Sequence, residues 1–261
     1  MITIEMIESI PVGRRRFLKA MALGAAAMIG LQAKRVMQAS ETGGTNTHEW
    51  VMVIDQSKCT GCGYCTLACQ AHNDAPPQIQ WNRVIKVGKV ADKEVFLPRP
   101  CMHCGHAPCV SVCPVNASYK RADGIVMMDY DRCIGCRYCE VACPYGARAF
   151  NWEEFTGENP AVPDWGKPEV PRRPRGVVEK CSFCYHRVDR GLALGLKPGS
   201  DPYASPACLV ACPVRARTFG DLNDPESEVN QLLASRPYYR LREDMGTNPQ
   251  VYYLPPQGES S

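Results

Sequence analysis

The sequence predicts a loop-rich α+β fold organised around a repeated cysteine unit, and three observations carry that prediction. Sixteen cysteines fall into four sets of four, with none left over. "DQSKCTGCGYCTLAC" (55–69) and "DYDRCIGCRYCEVAC" (129–143) superimpose without a gap. Proline (22) and glycine (21) are frequent enough in 261 residues to cut the chain into short elements joined by turns. Internal similarity of this kind makes the repeated unit the thing to explain.

In chain order, residues 1–39 form a separate block. "RRRFLK" is followed by a weakly hydrophobic run from Ala20 to Leu31 and then "QAKRVMQAS". A charged start, a short apolar middle and a small-residue end make a secretory signal. Twelve residues rich in Ala and Gly fall short of the roughly 18–20 that span a bilayer. The block resembles a twin-arginine signal, with Arg14 and Arg15 as the pair and Phe17, Leu18 and Lys19 in the expected places. Gly13 stands where Ser or Thr is commoner. Cleavage after Ala39, an uncleaved anchor, and a basic amphipathic surface helix are the alternatives. Removing this block leaves 24 basic and 25 acidic residues, a balance of −1, so the body is not a basic nucleic-acid binder.

"EWVMVID" (49–55) reads as a strand feeding the first set, Cys59, Cys62, Cys65 and Cys69. "TLACQAHND" predicts a short helix starting near the third cysteine. The second set, Cys101, Cys104, Cys109 and Cys113, has four residues in its central gap instead of two. Asp123-Gly124 predicts a hairpin turn, and "GIVMMD" (124–129) a second strand. That strand feeds the third set, Cys133, Cys136, Cys139 and Cys143, with another short helix in "EVACPYGA". Residues 151–176 hold five prolines and no helical period, and their basic end "PRRPRG" is either a docking patch or a solvated loop. The fourth set, Cys181, Cys184, Cys208 and Cys212, is split by 23 residues. "DPESEVNQLLASR" predicts a helix with Asp224 as N-cap, Pro225 at its first position and Glu226 in its first turn. "GTNPQVYYLPP" predicts an extended strap.

The spacing decides the chemistry. C-x2-C-x2-C puts three thiolates on one tight loop, and a fourth cysteine three residues on, before proline, faces away. This is the bacterial ferredoxin signature, in which the fourth cysteine ligates the other cluster of a pair. Three of the four sets continue as C-P-x-x-A, ending at Ala117, Ala147 and Ala216. Four sets therefore predict two pairs and four 4Fe–4S clusters. Structural zinc usually takes two C-x2-C pairs a dozen or more residues apart, which only the split fourth set approaches. Disulfides between cysteines three apart on a tight loop would be strained and reducible. Export in the folded state reconciles a signal with iron-capped thiolates. His103 and His106 lie inside the second set as candidates for residues beside the metal rather than on it. Lys58, Arg132 and Lys180 each precede a set, where a cation would raise the potential of a nearby cluster. No dinucleotide fingerprint, P-loop or nucleophile elbow appears.

From His48 to Pro255 the chain resembles the four-cluster iron–sulfur subunits of the dimethyl sulfoxide reductase and polysulfide reductase group. The resemblance rests on "CTGCGYCTLACQAHND", "CMHCGHAPCVSVCP", "CIGCRYCEVACPYGARAFNW", "RPRGVVEKCSFCYHR", "PACLVACPVRARTFGDLND" and "GTNPQVYYL". It implies two interlocked ferredoxin-like domains, one of residues 40–100 plus 177–223 and one of 101–150. The 151–176 loop and a 224–261 tail complete the body. It implies clusters on Cys59, Cys62, Cys65 and Cys212; on Cys181, Cys184, Cys208 and Cys69; on Cys101, Cys104, Cys109 and Cys143; and on Cys133, Cys136, Cys139 and Cys113. It implies a non-catalytic subunit with no small-molecule substrate of its own, and the twin-arginine signal places that subunit, peripheral, on the periplasmic side of the cytoplasmic membrane. Its partners would be a quinone-binding membrane subunit and a molybdopterin subunit or multihaem cytochrome. A free-standing periplasmic polyferredoxin is the alternative.

Overall fold

The structure is a computed structural model that describes residues 48–90 and 92–256; Arg14, Arg15 and Ala39 lie outside them. It is a mixed helix and strand fold of small sheets and many loops. Strand β1 (Trp50–Asp55) is buried along its whole length. Its even residues Trp50, Met52 and Ile54 face the core that holds the cysteines. Val51 and Val53 face a second, wholly aliphatic and aromatic cluster. This period-2 division is why so apolar a strand has no solvent face.

Helix α1 (Tyr64–His72) follows, then a hairpin of β2 (Arg83–Val90) and β3 (Lys93–Arg99). Helix α2 (Pro108–Ser111) leads into the hairpin of β4 (Ser118–Lys120) and β5 (Val126–Met128), with Gly124 at φ 88° in the predicted turn. Helix α3 (Tyr138–Val141) precedes β6 (Arg148–Phe150), which pairs antiparallel with β7 (Val178–Lys180). Helices α4 (Tyr185–Ala193) and α5 (Ala207–Val210) precede β8 (Arg217–Asp221), helix α6 (Glu228–Ser235) and β9 (Val251–Leu254). Strand β1 is central, antiparallel to β8 and parallel to β9. The predicted strap is thus β9 and its approach, whose Asn248 and Gln250 backbones bond to Gly105 and Met102 across the second set. Among the described residues no helix is long and apolar enough to cross a membrane.

Three findings differ from or extend the sequence analysis. Helix α6 starts at Glu228 with Ser227 as its cap residue, not at Asp224. Asp224 instead closes a turn, accepting the Ser227 N–H on its carbonyl and the Glu226 N–H on its carboxylate, both at 2.9 Å. The local Asx turn satisfies the backbone one turn before Val229 can reach the β1 face.

Of the three arginines in "PRRPRG" only Arg175 stays exposed. Arg172 turns inward onto Asp74 at 2.9 Å, and Arg173 lies buried over the Trp81 ring beside Glu179. Both staple a loop that has no regular element to hold it.

The segment between Cys184 and Cys208 is packed rather than looped out. Asp189 on α4 takes a two-pronged contact from Arg121, at 2.7 and 2.8 Å. Gly199, at φ 96°, passes so close to β8 that a Cβ would sit 1.9 Å from the Phe219 carbonyl oxygen. The fourth set is therefore closed over by its own insertion.

Candidate metal centres

Glycine shapes the two regular loops. Gly61 (φ 75°) and Gly135 (φ 70°) precede the second cysteine of the first and third sets. A Cβ at these positions would lie 2.4 Å from the Phe96 ring and 2.3 Å from the Gly176 carbonyl oxygen. The left-handed turn folds the backbone tightly enough for three sulfurs to face one recess. Helices α1 and α3 then begin one residue before the third cysteine, as the spacing predicts.

Four gatherings of sulfur result, each with three cysteines of one set and one of another. Cys59, Cys62, Cys65 and Cys212 line one recess. Cys101, Cys104, Cys109 and Cys143 line another, and Cys113, Cys133, Cys136 and Cys139 a third. Cys69, Cys181, Cys184 and Cys208 are mutual electrostatic neighbours in the core. Interactions between gatherings run in single file: Cys65 with Cys69 and Cys208, Cys181 with Cys101, and Cys109 with Cys139. Cys62 and Cys136, at the two ends of that file, are exposed.

As bare thiols the inner sulfurs resist ionisation. Burial, reinforced by the neighbouring Cys101 sulfur, pushes Cys104 and Cys181 up to about 12. Burial raises Cys69 and Cys208 as well. Four thiolates can share such a space only around a compensating cationic core, which an iron–sulfur cluster supplies. All sixteen cysteines are unbridged. Among the described residues, no three His, Cys, Asp or Glu side chains converge as ligands of one metal ion. Four sulfurs lining one recess, three from one set and one from another, fit the ligand pattern of a 4Fe–4S cluster. Hydrogen bonds prepare several of them for negative charge. The Ser118 N–H donates to Cys113 Sγ at 3.4 Å, the Ala216 N–H to Cys212 Sγ at 3.3 Å, and Asn82 Nδ2 to Cys65 Sγ at 3.1 Å.

The other candidate residues separate cleanly. Lys58 and Arg132 have side chains more than half exposed, whereas Lys180 is buried with its Nζ on the carbonyls of Val126 and Cys181. His103 is fully buried, stacked 3.7 Å from the Phe183 ring centroid, and its Nδ1 accepts the Val126 N–H at 3.0 Å. Burial, with Lys180 and Arg148 nearby, holds it well below the ordinary histidine range, so it is a neutral core residue. His106 is at the surface against the Gly246 carbonyl. Two residues escape the sequence analysis, Arg148 and Arg217, both buried against sulfur. Their sequence signal is the repeat C-P-x-x-A-R-x-F, found at 143–150 and 212–219.

Sulfur-lined recesses in single file on a loop-rich α+β scaffold are those of a polycluster iron–sulfur protein. Residues 93–159 match the profile of a 4Fe–4S dicluster domain, and residues 50–71 that of a 4Fe–4S binding domain. The chain is 46% identical over 226 residues to the iron–sulfur cluster-binding subunit of menaquinone reductase of Nitratidesulfovibrio vulgaris, covering 79% of this chain and 88% of the other. It is 44% identical over 224 residues to a selenate reductase subunit of Mesobacillus selenatarsenatis, covering 80% and 73%. To a polysulfide reductase subunit of Wolinella succinogenes it is 36% identical over 209 residues, covering 78% and 93%. The protein belongs to this family, the iron–sulfur subunits of the dimethyl sulfoxide reductase and polysulfide reductase group. It is an electron-transfer subunit of an oxidoreductase complex rather than the catalytic one, and its cofactors are four 4Fe–4S clusters.

Proposed function

We propose that this subunit relays single electrons along four clusters between a quinone-binding membrane subunit and a periplasmic redox partner, either a molybdopterin subunit or a multihaem cytochrome. The relay order is Cys59/Cys62/Cys65/Cys212, then Cys181/Cys184/Cys208/Cys69, then Cys101/Cys104/Cys109/Cys143, then Cys133/Cys136/Cys139/Cys113. The first and fourth sets form one ferredoxin-like domain (40–100 plus 177–223), which interlocks with a second made by the other two (101–150). The signal carrying Arg14 and Arg15 takes the protein, already folded, to the periplasmic face of the cytoplasmic membrane.

The observation that carries this reading is the single file of sulfur gatherings with an exposed cysteine at each end and buried ones between. Each cluster supplies one-electron chemistry; the protein holds the sulfurs, keeps water from the inner sets and offers the outer ones to partners. Beside Cys136 four large apolar side chains, Ile134, Tyr138, Val141 and Trp152, are each more than half exposed, with the Arg137 guanidinium lying over the Trp152 ring. Such a patch suits a fixed partner, and the membrane subunit is the apolar one. The relatives named for menaquinone reduction and menaquinol oxidation support the quinone link.

Purification under gentle detergent tests the assignment: two further subunits should accompany the protein, one of them polytopic. In that complex Cys139→Ser should remove one cluster signal and slow quinone-coupled electron transfer. A soluble, monomeric, four-cluster protein in the periplasm would instead establish a free polyferredoxin.

A further inference from the structure

Two buried arginines stand apart. Arg121, Arg172, Arg173, Arg187, Arg190 and Arg236 each face a carboxylate. Arg148 and Arg217, exposed by only 3% and 4%, have none within ion-pair distance among the described residues. Their positions match. Each lies five residues after the last cysteine of its set and opens a strand, β6 or β8. Each donates to the sulfur of a methionine on the adjoining hairpin or sheet, Met128 at 2.8 Å and Met52 at 3.3 Å. Each also donates to a neutral oxygen, Ser118 Oγ at 2.5 Å and Asn82 Oδ1 at 2.7 Å.

A cation buried without a counter-charge is strongly disfavoured. Methionine, serine and asparagine do not balance it, and sulfur is what remains. Arg217 reaches Cys65 Sγ at 3.5 Å and Cys208 Sγ at 3.8 Å, which belong to different gatherings. Arg148 lines the recess of Cys101, Cys104, Cys109 and Cys143, and its charge acts on Cys109 there and on Cys139 of the neighbouring gathering. We propose that Arg217 and Arg148 are electrostatic positioning residues, each fixing a permanent positive charge between two neighbouring clusters and raising the potentials of both together. A guanidinium keeps its charge at any working pH, so the bias is constant. One electron added on either side adds one negative charge, which the shared cation stabilises wherever in the pair it rests.

This inference rests on the proposed ligand sets, and its test is a redox titration followed by electron paramagnetic resonance on the intact complex, with iron and acid-labile sulfide counted. Arg217→Gln should retain four clusters and lower the potentials of the first two in the relay. The reduced-to-oxidised ratio at a fixed poise should fall about tenfold, or about 59 mV for one electron. The last two should hold. Arg148→Gln should do the reverse, and Arg→Lys at either place should restore most of the shift while losing the two-pronged contact. Unchanged potentials with all iron present would overturn the proposal, as would a shift shared by all four clusters. Loss of iron in both Gln variants, with wild-type iron but shifted potentials in the Lys variants, would also overturn it by assigning shape rather than charge. A cysteine variant that leaves its assigned cluster intact would instead refute the ligand sets.

Discussion

The two ends of the proposed relay and its middle are built from one cysteine unit, yet they are physically different regions. The end sets, first and third, have the regular C-x2-C-x2-C spacing and expose Cys62 and Cys136. The middle sets, second and fourth, carry longer central gaps, of four and 23 residues, and bury all three of their leading cysteines. The extra residues either cover the sulfurs or anchor the segment that does. In the fourth set α4 and the Gly199 turn close over the sulfurs; in the second, the β9 strap lies across Gly105 and His106. A departure from the regular motif thus marks insulation rather than decay of the site.

The strongest way to break this comparison is to remove one sulfur from each region. Cys208→Ser takes a proposed ligand from a gathering embedded in the core and leaves three buried thiols that resist ionisation. Loss of several kcal/mol is expected, and a loss of about 3 kcal/mol would lower Tm by roughly 6–12 °C in a domain of this size. Cys136→Ser, at the surface, should cost one cluster and little stability. Thermal denaturation followed by circular dichroism, with iron counted in each variant, checks both. Equal destabilisation would erase the distinction.

Backbone substitutions sharpen it. Gly199→Ala forces a side chain against the Phe219 carbonyl as well as into a left-handed conformation, so a loss of about 2–3 kcal/mol is expected. Gly63→Ala, at the first set, has the same kind of φ, 79°, but open space around it. Only the backbone cost of about 1 kcal/mol should appear there. Denaturant titration of the two variants measures the difference.

How far this contrast could be foreseen depends on the kind of information involved. Ligand-type chemistry is local, so every cysteine, the β1 strand and the Asp123-Gly124 turn can be read from residue order. Which set lends its fourth cysteine to which is a long-range matter that the spacing does not contain; family resemblance supplied it. Arg148 and Arg217 were hidden because an arginine near a strand reads as surface, and only the Met and sulfur partners brought from distant segments make it interior. The β2–β3 hairpin escapes for a different reason: its first strand is mostly exposed, lysine-rich and interrupted by Gly88, so no buried face produces an alternating pattern. Helix α6 shows the limit of cap rules, since Asp224 satisfies its turn before the helix begins.

At the apolar end, Val141 is 87% exposed on α3. Val141→Glu should change the stability of the isolated subunit by less than about 0.5 kcal/mol. It should nevertheless reduce recovery of the membrane partner in detergent. The matching change Leu194→Glu, on the exposed side of the insertion, should leave recovery unchanged if the apolar end alone is the docking face.

The last expected effect concerns the cover of the middle. Glu169, in the proline-rich loop, accepts from Arg187 at 2.6 Å and Arg190 at 3.0 Å on α4 and lies 2.6 Å from His72 Nδ1 at the end of α1. Burial alone would raise its carboxyl, but Arg187, His72 and Arg190 outweigh burial and hold it below the ordinary range. A carboxyl lowered in the folded state contributes its stability in full above the unfolded value, roughly pH 4.3, and loses it as pH falls through the folded one. The contribution should therefore fade only in acid, and Glu169→Gln should remove that part of the pH dependence. At neutral pH the variant should lose about 1 kcal/mol or less, because the group is partly screened. Hydrogen exchange should report the loss in α4 and the proline-rich loop first, since two of the three side-chain contacts it weakens are to α4.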